Sequence, residues 1–264
     1  MDLKLTGKRA LITGSTAGIG LAIAQGLARE GTTVVVNGRT QARVDDACAQ
    51  IHAASPEASV EGVAADLGTA AGVAALIGSV PAVDILVNNV GIFEPKAFGE
   101  ISDADWFRFF ETNVLSGVRL SRQYLPGMTA QDWGRIVFIS SESAVQIPQE
   151  MIHYGMTKTA QVAVARGLAE TTKGTGVTVN TVLPGPTRSE GVGTFVRQMA
   201  EARGVDEGAM ETEFFQTARP SSLLQRFLTT EEIANLVVYT CSPAASGTNG
   251  AALRVDGGVI RAAF

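Results

Sequence analysis

Seven short apolar runs rich in β-branched residues punctuate the chain, at residues 9–13, 33–37, 59–64, 84–88, 136–140, 177–183 and 251–255. Their hydrophobicity is nearly continuous, which is the pattern of strands covered by helices on both faces of a parallel sheet. Longer segments with helical spacing lie between them. Ser102 with Asp105, and Thr229 with Glu232, have capping-box spacing, and Gly31 follows a segment ending in Arg29 and Glu30, where a helix should stop. The β-α-β-α alternation predicts an α/β fold: a single Rossmann-type, doubly wound parallel sheet of about seven strands with helices on both faces. Its crossovers should be right-handed and its ligand should sit at the carboxyl ends of the strands.

No linker, repeat or low-complexity stretch interrupts residues 1–264, so one domain is expected. The irregular part is 190–222, between the sixth strand and the last helix. It carries Phe195, Met199, Met210, Phe214 and Phe215, with Gly191, Gly193, Gly204 and Gly208 as places to hinge. This composition predicts a helical flap that excludes water, a substrate lid.

Composition narrows the function. At 264 residues and 45% hydrophobic content the chain can bury a sizeable core. It has no uninterrupted apolar run of membrane-spanning length, and its first residues lack a signal peptide's charged start and apolar stretch, so a cytoplasmic protein with no membrane partner is expected. The two cysteines, Cys48 and Cys241, have no metal-binding spacing and read as packing residues, so no metal is expected. The net charge of −5 arises from scattered acids without a basic run, which argues against nucleic acid as a partner.

Three places carry chemistry. The first strand runs into Thr13-Gly14-Ser15-Thr16-Ala17-Gly18-Ile19-Gly20 and then a helix. Glycines there let the backbone turn sharply and approach a pyrophosphate, whose charge the helix N-terminus favours. The second strand ends at Asn37-Gly38-Arg39, where the adenosine ribose of a nicotinamide dinucleotide would arrive. An acid there would bind the 2′-hydroxyl of NAD. Gly38 stands near that position instead, and the Arg39 guanidinium suits a 2′-phosphate, so NADP(H) is expected over NAD(H).

Of the three tyrosines, Tyr154 alone has a lysine four residues on, Lys158, which puts both side chains on one helical face. A free phenol has a pKa of about 10, and a nearby ammonium would lower it toward a useful acid/base range. Ser141, just past the fifth strand, is placed to orient a substrate carbonyl in the same cleft.

Together these features resemble the short-chain dehydrogenase/reductase family over essentially the whole length, from Gly7-Lys8 to Val255-Asp256-Gly257-Gly258. The signatures are the glycine loop, Asp66 after the third strand, Asn88-Asn89-Val90-Gly91 after the fourth, Asn113, Ser141, Tyr154 with Lys158, and Pro184-Gly185. The resemblance implies a catalytic tetrad of Asn113, Ser141, Tyr154 and Lys158, with Tyr154 as general acid/base and Asn113 supporting a water-linked proton relay. It implies cofactor contacts from Gly14, Ser15, Thr16, Gly18, Ile19 and Gly20, from Asn37, Gly38 and Arg39, and from Asp66 and Leu67 at the adenine. Asn89, Val90 and Gly91 would face the adenosine side. Lys158 would hold the nicotinamide ribose, beside Tyr154, with Pro184, Gly185, Thr187 and Ser189 at the nicotinamide end.

Val90 departs from the family's usual alanine, adding bulk near the adenosine site. The expected activity is hydride transfer between a nicotinamide cofactor and a small or moderately apolar carbonyl or secondary alcohol, and the resemblance implies a homotetramer, with the apolar faces of helices over 103–124 and 154–172 as candidate contacts. The alternatives are a 3-oxoacyl-carrier-protein reductase, a methyltransferase on a related sheet, or a non-catalytic dinucleotide-binding regulator. The stretch 129–135 offers little positive charge for an acidic carrier protein, which counts against the first.

Overall fold

Seven strands form where the apolar runs place them: β1 (Arg9–Ile12), β2 (Thr33–Gly38), β3 (Val60–Ala64), β4 (Ile85–Asn88), β5 (Gly134–Ile139), β6 (Val177–Pro184) and β7 (Ala252–Val255). The computed structural model describes residues 2–263, apart from the side chain of Phe195. The strands pair in the order β3-β2-β1-β4-β5-β6-β7, every neighbouring pair parallel. Chain order reverses between β1 and β4, so a crevice opens at their carboxyl ends.

Side chains alternate across the sheet and feed two cores. Ala10, Ile12, Val34, Val36 and Ile85 meet α1 (Gly18–Arg29), α2 (Gln41–Ala54) and α9 (Thr230–Cys241) through Ile23, Leu27, Val44, Ile51, Ile233 and Val237. Leu11, Val35, Leu86, Ile136 and Phe138 meet α3 (Ala70–Ser79), α5 (Ser116–Ala130) and α6 (Ile152–Thr171) through Val73, Leu76, Leu120, Tyr124 and Ala165. Each buried valine, leucine or isoleucine among these contributes about 1.5–3 kcal/mol. Both cysteines lie on helices, Cys241 fully buried, and burial pushes its thiol up to about 12. Among the described residues no helix is long and apolar enough to cross a membrane.

Both capping boxes form, Ser102 with Asp105 at the start of α4 (Asp103–Phe110) and Thr229 with Glu232 at the start of α9. The helix expected over 103–124 is not uniform. A π-turn over Glu111–Leu115 joins α4 to α5, with Asn113 buried within it. Such single-turn insertions displace the main-chain ladder and recur at functional sites.

Residues 190–222 fold into α7 (Glu190–Arg203) and α8 (Glu207–Thr217), with their own small core of Val196, Ala200, Met210, Phe215 and Phe227. Of the four expected hinge glycines, Gly191, Gly193 and Gly208 lie inside these helices. Gly204 alone sits between them, left-handed at φ +65, as the α7 C-cap.

Candidate active site

The glycine loop is built to come close to a ligand. Gly14 and Gly18 are left-handed, at φ +60 and +56, and a Cβ at Gly20 would lie 2.5 Å from the Gly14 carbonyl oxygen. α1 begins at Gly18 without a side-chain cap on its first amides, which leaves them for an anion. Three residues expected at the cofactor direct their side chains into the loop itself. The Ser15 hydroxyl donates to Ile12 O at 2.7 Å and accepts from Asn37 N at 3.0 Å. Asn37 Oδ1 accepts from Gly14 N at 3.2 Å, and Asn89 Nδ2 donates to Thr13 O and Gly14 O at 2.9 and 3.0 Å. They hold the cradle's shape. Val90 fits the same pattern: a Cβ at Gly14 would stand 3.0 Å from its Cγ2, so the extra bulk packs against the loop.

At the adenosine end, Asp66 is exposed and accepts from Gly68 N at 3.0 Å, while Leu67 belongs to the core. Arg39 is exposed, and among the described residues it makes no ion pair. Gly38 sits under Thr16, whose Cγ2 would be 2.3 Å from an added Cβ. At the other end Ile19, Gly91, Pro184, Gly185, Thr187 and Ser189 open onto a cavity of about 540 Å³ that also receives Ser141, Tyr154 and Lys158. The residues present fit a dinucleotide, with a glycine cradle at its middle, a free arginine at one end and the cavity at the other.

In the cavity, Lys158 Nζ lies 5.6 Å from the centre of the Tyr154 ring and donates to Ile139 O at 2.9 Å. Loss of water on burial pushes Lys158 down to about 7. The phenol behaves differently from the sequence-based expectation. Burial, then the Glu142 charge, raise its pKa, against weaker lowering by the Ser141 hydroxyl and Arg219. Lys158 is not among the groups that lower it.

Ser141 caps the turn after β5, and its hydroxyl donates to Glu142 Oε2 at 2.5 Å. The other Glu142 oxygen accepts from Arg219 Nε at 2.9 Å, in a pair whose side chains are 6% and 11% exposed. Asn113 turns its side chain away from solvent: Oδ1 accepts from Ile92 N at 2.8 Å, and Nδ2 donates to Ile92 O and Thr157 Oγ1, both at 3.0 Å. It thereby braces the chain after Gly91 against α6.

α7 and α8 roof the cavity. Met199, Met210 and Phe214 line it as expected, whereas Phe215 turns into the segment's own core, and Phe195 lies outside the described side chains. Glu142, Arg219 and Gln161 were missed from the sequence. Gln161 stands at helical spacing from Lys158 and could have been found; the Glu142–Arg219 pair joins positions 77 apart and could not.

A family model described as short chain dehydrogenase matches residues 8–200. The chain belongs to the short-chain dehydrogenase/reductase family. It is an oxidoreductase, as the resemblance in its motifs implied. A Bacillus subtilis protein named uncharacterized oxidoreductase YvaG is 48% identical over 264 residues, covering 100% of both chains. The 3-oxoacyl-[acyl-carrier-protein] reductase of Aquifex aeolicus is 32% identical over 98% of this chain and 100% of its own. Among solved structures, L-sorbose reductase from Gluconobacter frateurii, complexed with NADPH and L-sorbose, superposes with a TM-score of 0.94 at 33% identity. That match covers 99% of this short-chain dehydrogenase/reductase and 100% of the sorbose enzyme.

Proposed function

We propose that this enzyme is an NADP(H)-preferring oxidoreductase that interconverts a neutral, moderately apolar carbonyl compound and its secondary alcohol. The observation that carries the reading is the cavity itself: Tyr154, Ser141 and Lys158 meet there, and both arginines that line it are already paired. Arg219 is bound to Glu142 and Glu150, and Arg203 to Glu213. A substrate carboxylate would have to displace a protein carboxylate from one of these arginines or compete with the cofactor ribose for Lys158, and either is costly.

The loop Gly14 to Gly20 would hold the nicotinamide cofactor, which would supply or accept the hydride. Tyr154 gives its hydroxyl proton to the carbonyl oxygen in reduction and takes it back in oxidation. Its raised pKa keeps the phenol protonated, which suits the acid role. Ser141, its own proton held by Glu142, presents lone pairs to the Tyr154 or substrate hydroxyl. In its ammonium form Lys158 places a positive charge near the phenol and favours the phenolate left behind. Phe93, Val192, Val196, Met199 and Phe214 exclude water from the reacting carbon.

Two features weigh against acyl-carrier-protein chemistry and for a free substrate. Arg135, the cation of 129–135, is 2% exposed, with its guanidinium bound to Gly134 O and Gly176 O, so it offers nothing to an acidic carrier. The lining is also overhung by α7 and α8. Homotetramer assembly is supported by Phe107 and Phe110, exposed on α4 within one of the faces expected to make contacts. Free thiols suit the reducing cytoplasm.

Substrate charge is tested with ketones of matched size, with and without a carboxylate. The neutral member should have a kcat/KM about tenfold or more higher, the scale of one unpaired polar mismatch. Equal turnover of the keto acid would overturn the substrate class. Cofactor preference is tested by calorimetric titration with NADPH and NADH. NADPH should bind more tightly, and Arg39→Ala should weaken NADPH about tenfold to a hundredfold while leaving NADH unchanged, as for loss of hydrogen bonds to a charged group. An unmodified protein that binds NADH as tightly as NADPH would refute the preference.

A further inference from the structure

We infer that Gln161 is a positioning residue for Lys158, tying the lysine amine to the Asn113 main-chain carbonyl through its side-chain amide and sustaining the ammonium form. The inference rests on the proposed roles of Tyr154 and Lys158. Gln161 is three residues beyond Lys158 on α6, on the same face, and is 1% exposed. Its Nε2 donates to Asn113 O at 2.6 Å. A carbonyl can only accept, so the amide's NH₂ must face the π-turn and Oε1 must face Lys158. Lys158 Nζ donates to that Oε1 at 3.2 Å. The amide is therefore satisfied at both ends, in one orientation, which an apolar residue filling the same space would not reproduce.

The consequence lies in how Lys158 carries its charge. Its amine has three donors when protonated; Ile139 O and Gln161 Oε1 take two and leave one for the cavity. The charged and titratable groups around it are Tyr154 on its own helix, Glu142 from the turn after β5, and Arg219, which is bound to Glu142. β5 and the π-turn present main chain and neutral amides there. No carboxylate bonds Nζ among the described residues, so neutral acceptors alone replace the water lost on burial. With Lys158 already down at about 7, removing one acceptor lowers the ammonium fraction further at neutral pH. A glutamate at this position would hold the ammonium more strongly, but its oxygen would face the Asn113 carbonyl without a proton between them.

The chain has five lysines, so ¹³C-labelled lysine resolves Lys158 by NMR titration in the cofactor-free protein. Gln161→Leu should lower the Lys158 pKa by about one unit, a tenfold loss of ammonium above neutrality, and Gln161→Glu should raise it. In turnover, the high-pH limb of kcat should move the same way in each variant, with KM little changed. An unchanged Lys158 titration in folded Gln161→Leu overturns the inference. If the leucine variant does not fold, a Gln161→Glu protein without an upward shift overturns it equally. Failure of the functional reading is separable. Tyr154→Phe that retains turnover refutes that reading, whereas the lysine titration reports on Gln161 whatever the enzyme's substrate.

Discussion

Tyr154→Phe is expected to lower turnover by about 10²- to 10⁴-fold or more while leaving NADPH affinity close to that of the unmodified enzyme. The substitution removes one oxygen and its transferable proton and keeps the ring. That ring packs edge-on against Phe93 with centroids 6.4 Å apart and lies under Lys158, so its removal would disturb the site where loss of the hydroxyl does not. Steady-state kinetics and cofactor titration of the same preparation separate the two effects. Turnover within about threefold of the parent would remove Tyr154 from the acid/base role, since positioned proton transfer is worth far more than that.

The second large effect is expected at Arg219. Arg219→Leu leaves Glu142 as a buried carboxylate without its guanidinium, a change that typically costs about 3–5 kcal/mol. Arg219 follows α8 directly, so this cost falls on the docking of α7 and α8 over the cavity. Hydrogen exchange should show lost protection across 190–222 with little change in β1, β4 or β5. The double variant Glu142→Gln/Arg219→Leu should recover most of that loss, because no buried charge is left unpaired. Protection equal to the parent in Arg219→Leu would mean that the pair does not hold the roof.

The same measurement tests whether this roof is a lid. Protection in 190–222 should rise when cofactor and a turned-over substrate are added together. If it is already high without them and does not change, α7 and α8 are a fixed element.

The sequence made the scaffold readable because hydrophobic period and cap chemistry are local signals. Apolar runs located β1 to β7 within two residues, and both capping boxes formed as read. The π-turn at Asn113 was not readable, because one extra residue in a turn leaves the apolar spacing around it nearly unchanged. The direction of the Tyr154 shift was misread for a related reason. Sequence shows the lysine four residues away, but not the burial that moves both groups toward their neutral forms. Glycines in 190–222 suggested hinges, yet three of the four lie inside helices stabilised by their own apolar faces. Pairings such as Arg219 with Glu142 depend on how the roof folds back over the β5 turn, and no spacing along the chain encodes that.

The central claim, that Tyr154 supplies the proton for hydride transfer to a neutral carbonyl in this cavity, is tested most directly by a single turnover with NADPH deuterated at both nicotinamide C4 positions. With a small apolar ketone, the parent enzyme should deliver the deuterium to the carbinol carbon of the alcohol product, and Tyr154→Phe should deliver essentially none on the same timescale. Deuterium transfer at the parental rate by Tyr154→Phe, or NADPH that binds yet passes no deuterium to any of a panel of neutral ketones and aldehydes, would contradict it.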